Sequence, residues 1–561
     1  MAFGIPAAPA VGAAGIEGHT IMKGRGTMKR IAFLVLILVF AVPAFAGPRH
    51  AAKKAAPKPG TVITIHHVSD SHSHVDSFGP KDRRLSGRTG GLAKVATILK
   101  KERARGGNFL FFHSGDAFQG DMFFNQFLGV PELDLLNMLG LDAMAVGNHE
   151  FDLGPEVLAY ALSSTSSPSL FPLVSANLDL TGYPVLQNWI TPSITKRVGG
   201  VTVGIFGLTV PDDPTNMPEP VVILEDVATI AWQTAATLRA QGAQVVICLS
   251  HLGLLYDHAI AENVPGIDFI LGGHSHDTLR RPLAVAGPTG GVTLIMHPGP
   301  HYKNIGRLQF TVTGGVVNSV KYRLLPVDRR VRPDPVIQSI VDNLKLQITA
   351  TYGPVYTEVI ARAPHEVAKA VPAKKRFQDS PVGNLVTDSY RYITGTELAI
   401  AANGFIAEGL PKGKIVGADI FRTVSYGFNP DTGLGLPLAI AEISGFDLVY
   451  GLEFGLYYLG LNEDFFLQVS GLQYRYRPDA APGERVDLAS LVVAGEPIDP
   501  MRKYTLTVNL GIVMLLPMVG VNLENVQLLD ISEYEALGSF ASHLGVIRHR
   551  SEGRIVQLPS K

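Results

Sequence analysis

The chain repeats one pattern five times: an apolar, β-branched or aromatic run, a small residue, then side chains able to ligate a metal. "VITIHHVSDSH" offers Asp70 and His72, and "NFLFFHSGDAFQGD" offers Asp116. "LDAMAVGNHEFDLG" offers Asn148 and His149, "AQVVICLSHLG" offers His251, and "GIDFILGGHSH" offers His274 and His276. Carboxylate, imidazole and amide oxygen suit Zn, Mn, Mg or Ca, and an aspartate can bridge two cations. Two cations a few ångströms apart clamp a phosphoryl group, neutralise its charge and supply a water-derived nucleophile for in-line attack. No protein nucleophile is then required. The sequence has neither a Gly-x-x-x-x-Gly-Lys phosphate loop nor a G-x-S-x-G elbow.

Such side chains converge only if the elements before them do. Short apolar runs ending in small residues read as strands buried on both faces, and the segments 90–105 and 226–241 have helical spacing. Strands alternating with helices imply an α/β layered domain, whose ligand-binding groups collect on loops beyond the strand ends. His66 and His67 lie inside the first strand, where alternation sends one inward and one outward, so they read as core or surface histidines rather than ligands. His74 reads as lining a pocket mouth or solvated. His113 reads as core or as support behind the ligands, and His297 and His301 are candidates for pocket lining.

With 561 residues, 46% hydrophobic and 17% charged, the chain can bury a large core and is expected to hold two globular domains. A net charge of -1 gives no pull toward nucleic acid polymers or anionic membranes. The single cysteine, Cys248, excludes an intramolecular disulfide framework and any thiolate-rich metal site. "MKRIAFLVLILVFAVPAFAG" has the charged start, apolar run and Ala44-Phe45-Ala46 site of a cleavable secretory signal, which predicts export to a periplasm or outside the cell. The Gly/Ala-rich stretch before it suggests that translation starts at Met22 or Met28. Residues 1–46 are thus read as leader, and 47–60 as a basic linker with no stable membrane span after cleavage.

The ordered set D-x-H (Asp70, His72), G-D-x-x-x-G (Gly115, Asp116, Gly120), G-N-H-E-F-D (147–152), S-H-L-G (250–253) and G-G-H-S-H (272–276) resembles the calcineurin-like metallophosphatases. With its long C-terminal extension, the chain is similar to the secreted 5'-nucleotidase / UDP-sugar hydrolase family. The resemblance implies a layered α/β/β/α sandwich over 61–327, a linker helix over 328–350 and a smaller α+β domain over 351–561. It also implies two divalent cations, Zn or Mn first, with Mg, Co or Ca as alternatives. Asp70, His72 and His276 would ligate one cation, Asn148, His251 and His274 the other, and Asp116 would bridge them. His149 would stabilise the transferring phosphoryl group or protonate the leaving oxygen. Asp152 would orient it, unless it merely caps the following helix.

The second half resembles the 5'-nucleotidase C-terminal domain in "RFQDSPVGNLVTDSYRYITGTELAIAANG", with Asn403 and Tyr426 as candidate substrate-binding residues. It departs where the family reads N-G-G-x-I-R: "ANGFIAEG" puts Ala407 or Glu408 at the place of a phosphate-binding arginine, whose charge and bidentate fork neither replaces. The family's G-G-D-G-Y is missing too, and "NPDTGLGLPLA" lengthens the loop after Tyr426. Tyr426 could stack on a base or sit in the core. The expected activity is therefore an exported dimetal phosphoesterase acting as a monomer on a small phosphate ester, nucleotides first. One alternative keeps the centre and changes the substrate to UDP-sugars, cyclic nucleotides, sugar phosphates or a sulfur-bonded group. Another is a non-catalytic ligand-binding protein.

Overall fold

Thr61–Val68, rich in β-branched residues, forms the strand its sequence predicts. It lies inside a seven-stranded sheet, running parallel to Asn108–His113 on one side and antiparallel to Asn304–Thr313 on the other. A six-stranded sheet faces this one, with Val201–Thr209, Val245–His251, Phe269–Gly272 and Val292–Met296 mutually parallel. The computed structural model describes residues 60–559 apart from 168, 212–217, 370–376, 430–431 and 461. The leader and nearly all of the linker expected over 1–60 therefore lie outside the described residues, as do two positions of the lengthened loop after Tyr426.

The two sheets bury Ile63, Ile65, Phe112, Ile205, Ile247 and Leu271 between them. Helices Leu92–Arg103 and Gly154–Ser163 pack on the outer face of the first sheet, and Val227–Ala240 and Leu254–Asn263 on that of the second. This is the expected α/β/β/α arrangement. It explains why the strands read as continuous apolar runs: neither face meets water. It also changes the reading of the first strand's histidines, because both His66 and His67 are buried. His66 stacks on Phe109 with its Nε2 3.4 Å from Glu102, and His67 lies against Tyr322.

Helix Pro335–Tyr352, capped by Asp334, follows the sandwich. Beyond it stands a five-stranded sheet in the order Leu467–Ser470, Leu398–Ala402, Lys503–Asn509, Pro437–Ser444, Glu524–Ser532. Helices Pro381–Thr394 and Glu533–Leu544 cover one face, and Gly445–Tyr457 the other. The halves are not merely tethered. Val355, Tyr356, Ala418, Phe421 and Leu434 belong to the same apolar cluster as Phe118, Phe123 and Leu133 of the sandwich. Around that seam Arg422 pairs with Asp121 at 2.6 Å and Asp419 at 3.1 Å, Lys81 with Asp419 at 2.7 Å, and Lys345 with Asp76 at 2.5 Å.

Candidate metal centre

Every ligand candidate sits just past the C-terminal end of a buried strand, or within its last residue in the case of His251. The loops that carry them are unusual. Asp70, His72, Asp116, His274 and His276 all have φ between 47° and 72°, the left-handed region that non-glycine residues rarely occupy. Strained backbone of this kind persists where surrounding structure over-determines it, typically at functional sites. His301, which the sequence left as possible pocket lining, shares the conformation with φ 61°.

The glycines of the motifs are required by close approach. A Cβ on Gly147 would lie 2.2 Å from Asp116 Oδ1, and one on Gly115 would lie 2.6 Å from His251 Nδ1. Glu150, to which the sequence assigned no role, holds the loops in register. Its buried carboxylate accepts from the backbone N–H groups of Asp116, Ala117, Phe118 and Gly147 at 2.6–3.3 Å. Burial, helped by the charge of Asp116, pushes its pKa up to about 7.

The donor atoms converge. His251 Nδ1 donates to Ser114 O at 2.7 Å and His72 Nδ1 to Gln119 O at 3.2 Å, so in both rings Nε2 is the atom that faces the centre. His251 Nε2 is 2.9 Å from Asp116 Oδ2 and 3.1 Å from Asn148 Oδ1, and His274 Nδ1 is 3.1 Å from that same oxygen. His72 Nε2 lies 2.9 Å from His276 Nε2 and 3.8 Å from Asp116 Oδ2, and His276 Nε2 lies 3.8 Å from Asp70 Oδ1. Asp70 Oδ2 is buried without a hydrogen bond.

These atoms call for positive charge. Burial drives His72 and His276 well below the usual imidazole pKa, which leaves them neutral as ligands must be. His251 is the exception. Burial lowers it, but the Asp116 and Asp70 carboxylates and the Ser114 carbonyl together raise it to about 9, so a cation bound there would displace a proton from its Nε2. Burial lifts Asp70 to about 6. His149 Nδ1 lies 2.7 Å from Asp152 Oδ2, and the His149 backbone N–H donates to Asp116 Oδ1 at 3.0 Å. The helix after Asp152 has no side-chain cap, Leu153 standing at its N-cap.

The remaining sequence candidates divide. His113 is buried behind the loops, its Nε2 2.9 Å from Ser71 Oγ. His297 bonds Asp257 at 2.8 Å, on the second sheet's side. His74, read as lining a pocket mouth or solvated, is buried. From the second half, Tyr426 lays its ring on His149 with centroids 5.1 Å apart and planes 10° from parallel. Asn403 Oδ1 accepts from Gln468 Nε2 at 3.0 Å. Glu408 reaches into the sandwich and pairs with His301.

The sequence pattern of the calcineurin-like phosphoesterases matches residues 63–278, and that of the 5'-nucleotidase C-terminal domain matches residues 359–514. The chain belongs to the phosphoesterase family that joins these two domains. Within that family, the crystal structure of a 5'-nucleotidase precursor from Thermus thermophilus is 29% identical, with a TM-score of 0.77 over 89% of this chain and all of that one. A 5'-nucleotidase of Diplobatis ommata is 27% identical over 454 residues, 76% of each chain. A trifunctional nucleotide phosphoesterase of Bacillus subtilis is 27% identical over 462 residues, 76% of this chain and 30% of that longer protein. Among the described residues, no helix is long and apolar enough to cross a membrane.

Proposed function

We propose that the chain is an exported, metal-dependent hydrolase of phosphate esters that acts on nucleotides, its centre built from residues 61–301 and covered by the second half. Membership in a phosphoesterase family supports the reaction class, and relatives named 5'-nucleotidase support the substrate class. The signal-like run before Gly47 supports export. One observation carries the reading: potential ligand atoms of His72, His251, Asp116 and Asn148 converge on a buried point, and the two histidine rings are each held from behind by a backbone carbonyl.

Asp70, His72 and His276 would hold one cation, Asn148, His251 and His274 a second, and Asp116 would stand between. Two divalent cations there supply neutralisation of phosphoryl charge and activation of water near neutral pH. The side chains do the rest. The Asp152 carboxylate accepts from His149 Nδ1, which fixes the ring's tautomer and favours its protonated form. His149 Nε2 is then the proton-carrying atom, and it serves the leaving oxygen of the ester. Tyr426, stacked on that ring, shields it from bulk water.

A phosphate-release panel of nucleotides, UDP-sugars, cyclic nucleotides and sugar phosphates on metal-reconstituted mature protein tests the proposal. Nucleoside monophosphates are expected to turn over, with His149→Ala slower by roughly 10²–10⁴-fold. Normal metal content without release from any nucleotide would move the activity to another ester, a reading that the carboxylate of Glu408 near the centre favours. Unchanged turnover in His149→Ala would remove its role.

A further inference from the structure

We propose that His74, His301 and Glu408 form a third divalent-cation site, where the second half meets the sandwich. Their ligand atoms lie within 4.8 Å of one another. His74 comes from the loop after Thr61–Val68, His301 from the loop before Asn304–Thr313, and Glu408 from the segment between Leu398–Ala402 and Gly413–Val416. Neither half has the site alone.

The tautomer of His74 makes the case. Its Nδ1 faces two backbone carbonyls, His72 O at 2.8 Å and Ser71 O at 3.1 Å, so that nitrogen carries the hydrogen. The other nitrogen, Nε2, is buried without a hydrogen bond and points a lone pair toward Glu408 Oε2, 3.6 Å away. Two acceptors facing each other in a dry site repel unless a cation lies between them. His301 stacks on His74, centroids 4.1 Å apart and planes 18° from parallel, and its Nδ1 faces Glu408 Oε1. A single dication satisfies both nitrogens and the carboxylate at once.

The separation of His74 Nε2 from Glu408 Oε2, 3.6 Å, fits a bridging cation. Metal–ligand bonds of about 2.0–2.2 Å in a tetrahedral site put ligand atoms roughly 3.4 Å apart. Imidazole with carboxylate suits Zn, Mn or Co. Two ammonium groups also act on Glu408: Lys369, and Lys303, whose Nζ is 3.6 Å from Glu408 Oε1 and whose side chain, 42% exposed, can turn to water when a cation binds. The site also touches the proposed catalytic centre, since His301 lies with His72 and His276 in a second group of potential ligands.

The test loads metal-free, full-length protein with zinc chloride, removes excess by gel filtration, counts zinc per chain and locates it by anomalous scattering from crystals. Three equivalents are expected in the wild type, with a peak among His74, His301 and Glu408. Two are expected in Glu408→Gln and in His74→Phe, which keeps the stacking. Equal zinc in wild type and Glu408→Gln, with no peak at the trio, would overturn the proposal in favour of a closed ion pair. The count of three rests on the two-cation reading of the neighbouring centre, and the map separates the two ideas. A trio peak without peaks around Asp116 sinks only the latter. Should a variant fail to fold, the wild-type map alone decides.

Discussion

Two regions of this protein bury charge in opposite ways. At the seam between the halves, each carboxylate meets a cation: Asp121 and Asp419 meet Arg422, Asp419 also meets Lys81, and Asp76 meets Lys345. Around Asp116 the partners are imidazoles, oriented from behind by backbone carbonyls so that each turns its Nε2, a titratable nitrogen, toward the carboxylate. The first arrangement is electrostatically closed and serves to hold the halves together. The second is left open, and its strained left-handed residues show that folding tolerates cost there. The contrast teaches that burial of charge alone does not mark a functional site; an unfilled demand for opposite charge does.

The sharpest way to break this contrast is to remove a carboxylate from the open region. Asp116→Asn is expected to lower hydrolysis by roughly 10³-fold or more, the several kcal/mol that cation chemistry contributes. It should also strip metal from the neighbouring centre. In metal-free protein, however, the thermal midpoint should fall far less than the activity does, because the amide keeps the bond from the His149 N–H and loses only the charge that faces His251. Loss of stability equal to the loss of activity would mean that Asp116 is structural like Asp121.

The reverse pattern is expected at the seam. Arg422→Ala leaves Asp121 and Asp419 buried without their cation, which typically costs about 3–5 kcal/mol. Denaturant unfolding should show that loss, while the metal content per folded chain stays at the wild-type value. Arg422→Met with Asp121→Leu should recover much of the stability, as replacing a buried pair by apolar groups often does.

Most of the open region was legible in the sequence, because each candidate ligand follows an apolar strand and a small residue, and Gly147 and Gly115 allow close approach to Asp116 and His251. That the domain is α/β layered followed from apolar strand runs alternating with helical spacing, while the α/β/β/α order came only from the family resemblance. The closed region was not legible. Arg422 and Asp121 are 301 residues apart, and their pairing depends on how two halves dock, which no local period encodes. Glu408 shows the same limit: its position in "ANGFIAEG" marked a lost arginine, while its pairing with His301 needed the fold. Burial of His74 was missed too, since a loop histidine reads as exposed until a second half covers it.

Another buried carboxylate, Glu533, refines the comparison because neutral donors answer it: Tyr390 Oη at 2.7 Å and Asn509 Nδ2 at 3.1 Å. Burial pushes its pKa up to about 7. A folded-state pKa above the ordinary 4.5 means the contribution is full below about pH 4.5 and is lost as pH rises through about 7. Unfolding free energy should thus fall with pH by an amount on the order of 3 kcal/mol that Glu533→Gln does not share. Parallel pH profiles for the two proteins would show that Glu533 is ionised in both states.

The smallest effect is expected where the comparison has no force. Lys503 and Glu524 pair at 2.6 Å on the surface, both about half exposed. Water screens the pair and two long side chains lose freedom in forming it, so such contacts contribute about 0–1 kcal/mol. Lys503→Ala should change stability by less than about 1 kcal/mol, and added salt should shrink even that. The distance matches that of Arg422 to Asp121, so the comparison sets an exposed pair against a buried one, in which Arg422 also meets Asp419, at equal separation. If Lys503→Ala cost as much as Arg422→Ala, geometry rather than desolvation would govern the seam, and the distinction between closed and open burial would lose its physical basis.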